Sequence, residues 1–180
     1  AESEIRFAGI VDKDGKLIWE IPPGEWVIEQ IGYTSTLKKN GPATKEGTGY
    51  ESDKMNKKAT QHHFNSYMGK MNQISLDKVG KSIDFMQMES WEAGHQNWTQ
   101  GFEEEFEKRN GYSIIPWLPT LTKGVILNSE KESNKFLWDV RNTIVQLVAE
   151  NYSAVMYEMA NERGIKVLVE GSGQQNFFYD

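Results

Sequence analysis

Two short strand-like runs with helices between them constrain this chain more than any other feature. Residues 82–88 (Ser-Ile-Asp-Phe-Met-Gln-Met) alternate, and residues 165–169 (Ile-Lys-Val-Leu-Val) are rich in β-branched side chains; both patterns suit a strand. The stretch between them carries helical signals. Thr99 stands as N-cap to a helix expected over 102–110, whose three glutamates suit the positive end of the helix dipole and whose stop is Gly111. Ser129 with Glu132 forms a capping box. It opens a long helix expected over 130–163, with Phe136, Val140, Ile144, Leu147, Val155 and Met159 on one apolar stripe and Gly164 as its end. A strand that returns to its sheet through helices runs parallel to the first, normally by a right-handed crossover. The order predicts an α/β fold containing a parallel pair.

Upstream, the pattern changes. Residues 5–11, 17–21 and 25–33 read as short strands, broken by Asp12-Lys13-Asp14-Gly15 and by Pro22-Pro23-Gly24. They suggest an antiparallel meander or the edge of a β-sandwich. Residues 38–50 are polar and Gly-rich and read as a loop. A helix is expected over 56–72, with Asp53-Lys54 capping it, and 113–127 reads as a structured loop around Pro116 and Pro119. This divides the chain into a β-rich segment with its linker, 1–50, and an α/β part, 51–180. Two parallel strands cannot close a barrel, which needs about eight β/α units. The α/β part is therefore a small sheet or a piece of a larger one.

Composition removes several functions. The net charge of −6 speaks against a nucleic-acid partner, which would select a basic patch. With no cysteine there is no disulfide framework, thiolate metal site or thiol nucleophile, and three histidines make a zinc enzyme a poor fit. No apolar run approaches the ~20 residues that span a bilayer. No basic segment followed by an apolar one opens the sequence, so a secretory leader is expected to be absent from it.

Both parallel-strand candidates lead into a glutamate, Glu89 in Glu89-Ser90-Trp91-Glu92 and Glu170 in Glu170-Gly171. In parallel α/β folds functional groups gather at the carboxyl ends of strands, because the loops converge there. Paired carboxyl groups are what glycoside hydrolysis uses, one as acid for the leaving oxygen and one as base or nucleophile. The stretch 91–98 adds Trp91, Glu92, His95, Gln96, Asn97 and Trp98. Flat rings beside hydrogen-bonding side chains suit a sugar pocket, although two tryptophans that anchor a loop to a core would produce the same pattern. His62-His63 and the Glu103-Glu104-Glu105 run read as surface or packed residues of helices.

The run MESWEAGHQNWTQGFEEEFEKRNGYSIIPWLPTLTKGVI resembles the core of glycoside hydrolase family 106, the α-L-rhamnosidases. So do SNKFLWDVRNTIVQLVAENY and ERGIKVLVEGSG, while PPGEWVIEQIGYTST and GTGYESDKMNKKATQHHFNSYMGK are similar to the family's entry into its catalytic domain. The resemblance implies a partial (β/α)8 (TIM) barrel preceded by short strands of a β-sandwich-like segment. It implies a hydrolase of terminal α-L-rhamnosyl linkages in plant polysaccharides or glycosides, acting with inversion and with bound calcium. It points to Glu92 and Glu170 as the catalytic carboxyl groups, and to a secreted or periplasmic bacterial protein. Glu89, Trp91, His95, Gln96, Asn97 and Trp98 are the candidate substrate-binding residues. Glu89 stands where the family pattern carries an aspartate, and Gly-Ser-Gly follows Glu170 where a Pro-Tyr-Gly-like run is expected. The alternative is a non-catalytic carbohydrate-binding or structural domain that kept the fold. Self-association is expected if apolar surface is left uncovered.

Overall fold

The computed structural model describes residues 5–74, 78–79, 81–89 and 94–170. In chain order the elements are helices α1 (Lys57–Ser66) and α2 (Met68–Ile74), strand β1 (Phe85–Met88), helix α3 (Phe102–Asn110), a 3-10 turn (Ile115–Trp117) leading into α4 (Leu118–Lys123), helix α5 (Glu130–Val148), a π-turn (Ala149–Ser153), helix α6 (Ala154–Asn161) and strand β2 (Lys166–Val169). They fall into two compact units, each assembled from two stretches of chain: Ala1–Tyr33 with Glu103–Asp139, and Thr34–Phe102 with Val140–Asp180.

In the second unit β1 and β2 pair in parallel, with Phe85 opposite Lys166 and Met88 opposite Val169. The expected parallel pair is present. Alternation sends Met86 and Met88 to one face, where they bury against Phe64 of α1, Met156 and Ala160 of α6, and Ile165. Val167 packs on the same cluster. Phe64 and Ala160 are wholly inaccessible, and fully burying a side chain such as Phe64 is worth about 1.5–3 kcal/mol relative to exposing it. The other face of the pair carries Phe85 and Gln87 from β1, and Lys166 and Leu168 from β2. The Lys166 ammonium lies 5.3 Å from the Phe85 ring centroid, which puts both on that face. Phe85 and Leu168 remain half exposed there.

Local chemistry explains the helix ends. Asn56 caps α1, its side-chain oxygen accepting from the amides of Lys58 and Ala59. Asp53 is therefore not the cap. α6 ends where Gly164 takes φ +71° and donates to the Asn161 carbonyl, while Ile165 turns back to the Ala160 carbonyl; only glycine enters that left-handed region without strain. The long helix expected over 130–163 is interrupted by the π-turn, whose cost is offset by what it aims inward, described below.

The first unit packs around aromatic rings. Phe106 meets Tyr112 and Phe136 edge-on at 5.1 and 5.9 Å, and Trp117 stacks on Phe136 at 5.4 Å. Tyr112 donates to Asp139 at 2.8 Å, and Lys135 reaches the same carboxylate. Burial, then the hydrogen bond to Asp139, pushes the Tyr112 hydroxyl well above its ordinary pKa. The Ser129 cap forms as expected, its hydroxyl accepting from the Glu132 amide at 3.2 Å.

Residues 5–33 correct an expectation. Their three apolar runs form no strand. The only pairing recorded before α1 is an isolated antiparallel bridge between Lys39 and Tyr50. The Asp12–Gly15 turn does form, Asp12 accepting from the amides of Asp14 and Lys16. Trp26 packs edge-on to Trp19 and donates to the Pro22 carbonyl. Ile10, Ile18 and Val27 are 85%, 97% and 87% exposed. A strand gains its stability from a neighbour's backbone and a buried face. These runs have the composition without the neighbour.

Candidate functional site

The site is built in the second unit, at the carboxyl ends of β1 and β2. Because Met88 pairs with Val169 and Glu170 donates its amide to the Met88 carbonyl at 3.0 Å, Glu89 and Glu170 leave the sheet side by side. Adjacent strands lie about 4.8 Å apart. Gln87 donates to the Glu89 carboxylate at 2.7 Å, so Glu89 lies on the side of the sheet away from the Phe64 cluster. Glu89 and Glu170 are both exposed. Trp91 and Glu92 lie outside the described residues.

The loop after β1 is described again from Gly94. His95 and Asn97 are exposed, and Trp98 is half-buried with its ring 4.8 Å from Phe102. Gln96 and Thr99 turn inward to Asp53. One Asp53 oxygen accepts from the Gln96 amide and from the Met55 backbone amide at 2.9 Å, and the other accepts from the Thr99 hydroxyl at 2.5 Å. The Gln96 carbonyl in turn accepts from the Lys54 backbone amide at 3.2 Å, and its amide group also reaches the Trp98 carbonyl. All the functional atoms of the Gln96 side chain are thus engaged within the protein. Thr99 is not the side-chain cap expected for α3. Its hydroxyl is given to Asp53, and only its carbonyl serves the helix, accepting from Phe102.

The segment holding Asp53 is fastened on its other side as well. The Asn151 side chain, in the π-turn, donates to the Met55 carbonyl at 2.9 Å. Tyr152, also in the π-turn, presents its ring 5.6 Å from the Lys54 ammonium. Lys54 is only 7% exposed and pairs with Glu51 at 2.8 Å. A buried ammonium is costly unless paired, and carboxylate and ring together compensate it. Burial, then the Glu51 charge, raises the Tyr152 pKa. Desolvation, then the Lys54 cation, lowers that of His63, so His63 is held toward its neutral form.

Asp53, Lys54, Thr99 and Asn151 are the residues that sequence reasoning missed. The signal that could have found Asp53 is the Asn three residues later. Asn56 is as good a cap as Asp53 and stands at the start of the apolar spacing, which leaves Asp53 for other work.

Among the described residues no group of three or more His, Asp or Glu side chains could hold a metal ion. Calcium takes six to eight oxygens, and the Glu89–Glu170 pair alone does not supply them. Nor is any helix among the described residues long and apolar enough to cross a membrane.

The sequence profile described as alpha-L-rhamnosidase, glycoside hydrolase family 106, matches residues 2–180. A Formosa agariphila protein carrying the provisional name beta-glucuronidase is 42% identical over 166 residues, which are 92% of this chain and 14% of that protein. The structure of a rhamnosidase from Novosphingobium sp. PP1Y superposes with a TM-score of 0.74 at 29% identity, over 89% of this chain and 16% of its own. The chain thus spans about a seventh of the length of these relatives. A match along almost the entire sequence, together with a parallel strand pair ending in two glutamates, identifies the chain as a member of glycoside hydrolase family 106, the alpha-L-rhamnosidase family.

Proposed function

We propose that this chain is the opening part of a (β/α)8 catalytic domain whose whole protein hydrolyses terminal α-L-rhamnosyl linkages, with inversion. The observation that carries the reading is the side-by-side exit of Glu89 and Glu170 from adjacent parallel strands, where such folds collect their catalytic groups. Glu92, three residues beyond Glu89 in sequence, is the general acid that protonates the leaving oxygen. Glu170 is the partner carboxylate, activating water or contributing to a calcium site whose other ligands come from outside the described residues. An inverting pair stands about 6.5–9.5 Å apart so that water fits between base and sugar. Side chains on neighbouring strand ends and the loop beyond can reach that spacing. Trp91, Trp98, His95 and Asn97 are candidates for the sugar's faces and hydroxyls. A plant polysaccharide or glycoside substrate and a secreted or periplasmic location belong to the same reading.

The name of the Formosa agariphila relative favours a second reading, a uronic-acid glycoside. One assay separates the two. The whole protein is offered an aryl α-L-rhamnoside and an aryl β-D-glucuronide, and the anomer released first is identified by NMR. The rhamnoside should be cleaved with inversion, and Glu92→Gln should lower kcat by about 10²–10⁴-fold, the usual worth of a positioned acid. Cleavage of the glucuronide alone overturns the substrate. Wild-type rates from Glu92→Gln overturn its role, and no hydrolysis of either favours the non-catalytic carbohydrate-binding domain.

A further inference from the structure

The geometry points to Asp53 as a positioning residue for the loop that follows β1, acting through its hydrogen bonds rather than through its charge on a sugar. The inference rests on the proposed function only in assigning that loop a part in catalysis. The tether itself is independent of it. Asp53 accepts three hydrogen bonds, and two of the donors, Gln96 and Thr99, lie on this loop more than forty residues away in sequence. The third, from Met55, fixes the carboxylate to its own backbone. The Gln96 carbonyl returns a bond to the Lys54 amide, so loop and segment are joined in both directions. The segment is not a passive anchor. Met55 is buried, its carbonyl is held by Asn151, and the Lys54 ammonium is seated on Glu51 and Tyr152. The loop is thereby referred to a fixed point on the helical side of the unit.

The partition of the bonds makes a sharp test. One Asp53 oxygen takes Met55 and Gln96, and the other takes only the Thr99 hydroxyl. A hydroxyl can accept as well as donate. In Asp53→Asn the amide oxygen can keep the first two bonds while the new NH₂ donates to Thr99. The tether survives and only the charge is lost. Asp53→Ala loses all three bonds, and Thr99→Val loses one.

Two measurements follow. In this chain, hydrogen exchange of amides 94–99 is compared across wild type, Asp53→Asn, Asp53→Ala and Thr99→Val. Exchange should accelerate by tenfold or more in Asp53→Ala, an expected loss of about 1.4 kcal/mol of local protection, while protection of α6 stays unchanged. Thr99→Val should fall between, and Asp53→Asn should match wild type. In the whole protein, kcat of Asp53→Ala should drop by about 10²-fold, as expected for a misplaced reacting group, with the pH–rate limb of the acid displaced, and Asp53→Asn should restore both. If Asp53→Asn is as damaging as Asp53→Ala, the carboxylate charge is used directly and the inference is wrong. If Asp53→Ala leaves exchange at 94–99 unaltered, there is no tether. A wild-type protein without glycosidase activity sinks the proposed function, while the exchange data still decide the tether. If Asp53→Ala does not fold, the comparison of Thr99→Val with Asp53→Asn carries the same decision.

Discussion

Residues 5–33 and the β1–β2 pair have comparable strand-forming composition and opposite fates. Ile10, Ile18 and Val27 lie exposed in irregular chain, whereas Met86, Met88 and Ile165 are among the most buried residues of the second unit. The difference does not lie in local propensity. The second pair has what strands need: each finds the other's backbone, and Phe64, Met156 and Ala160 cover one face. The first region offers β-branched and aromatic residues with turns in suitable places, and its turn at Asp12 even closes, but no face is covered. Strand propensity is realised through packing against neighbours, so its measured value depends on context.

The comparison can be broken most severely at Phe64. Phe64→Ala removes a ring with no exposed surface from the covered face of the sheet. It should cost about 3–5 kcal/mol, read as a shift in the denaturation midpoint. A loss below 1 kcal/mol would mean that the cluster around β1 and β2 is loosely filled. A milder blow falls on the π-turn. Asn151→Ala leaves the Met55 carbonyl without that donor and should cost about 1–3 kcal/mol, the penalty for a buried polar group left unmade.

Smaller still is a pH effect. The His63 pKa is lowered by desolvation, then by Lys54, so the unfolded chain takes up this proton before the folded one does. Its contribution to stability is complete above about pH 6.5, the ordinary histidine value, and is lost as pH falls through the lower folded value. Stability should decline between pH 7 and 5, and His63→Gln should flatten that part of the profile. An unchanged slope in the variant would assign the decline to other groups. The least effect is expected at Ile18, where Ile18→Ala in this 180-residue chain should stay within about ±0.5 kcal/mol. A cost above 2 kcal/mol, or concentration-dependent light scattering that the substitution abolishes, would show that the segment has found a covering partner in a second copy. The same substitution in the whole protein tests whether other parts of it supply the cover.

Sequence legibility followed the range of the interactions. The parallel pair, the Ser129 cap, the stop at Gly164 and the two strand-end glutamates were readable, because each depends on a few neighbouring residues or on element order. Thr99 and Asp53 were assigned to helix caps, the local role that both residue types favour. Their partnership spans 46 positions, and nothing in either residue's neighbourhood announces it. The exposure of Ile18 was illegible for the same reason in reverse, since the pattern records a tendency and not a partner. The break in the long helix was hidden because its apolar stripe continues across the π-turn, with Leu147 and Val155 both buried on either side of it.

That π-turn has a consequence for how length is counted along the chain. A π-turn amounts to one residue more than a regular helix would use, with hydrogen bonds reaching five positions back in place of four. Delete one residue between 149 and 153, and the helix could close into an unbroken α-helix. Everything after it would then be rotated by about 100° and drawn back by about 1.5 Å. Val155, Met156 and Ala160 would swing off the sheet, and β2 would meet β1 out of step. The extra residue therefore acts as a phase setter, and the alignment of Glu170 with Glu89 on the far side of α6 is written partly in the spacing of a helix neither glutamate belongs to.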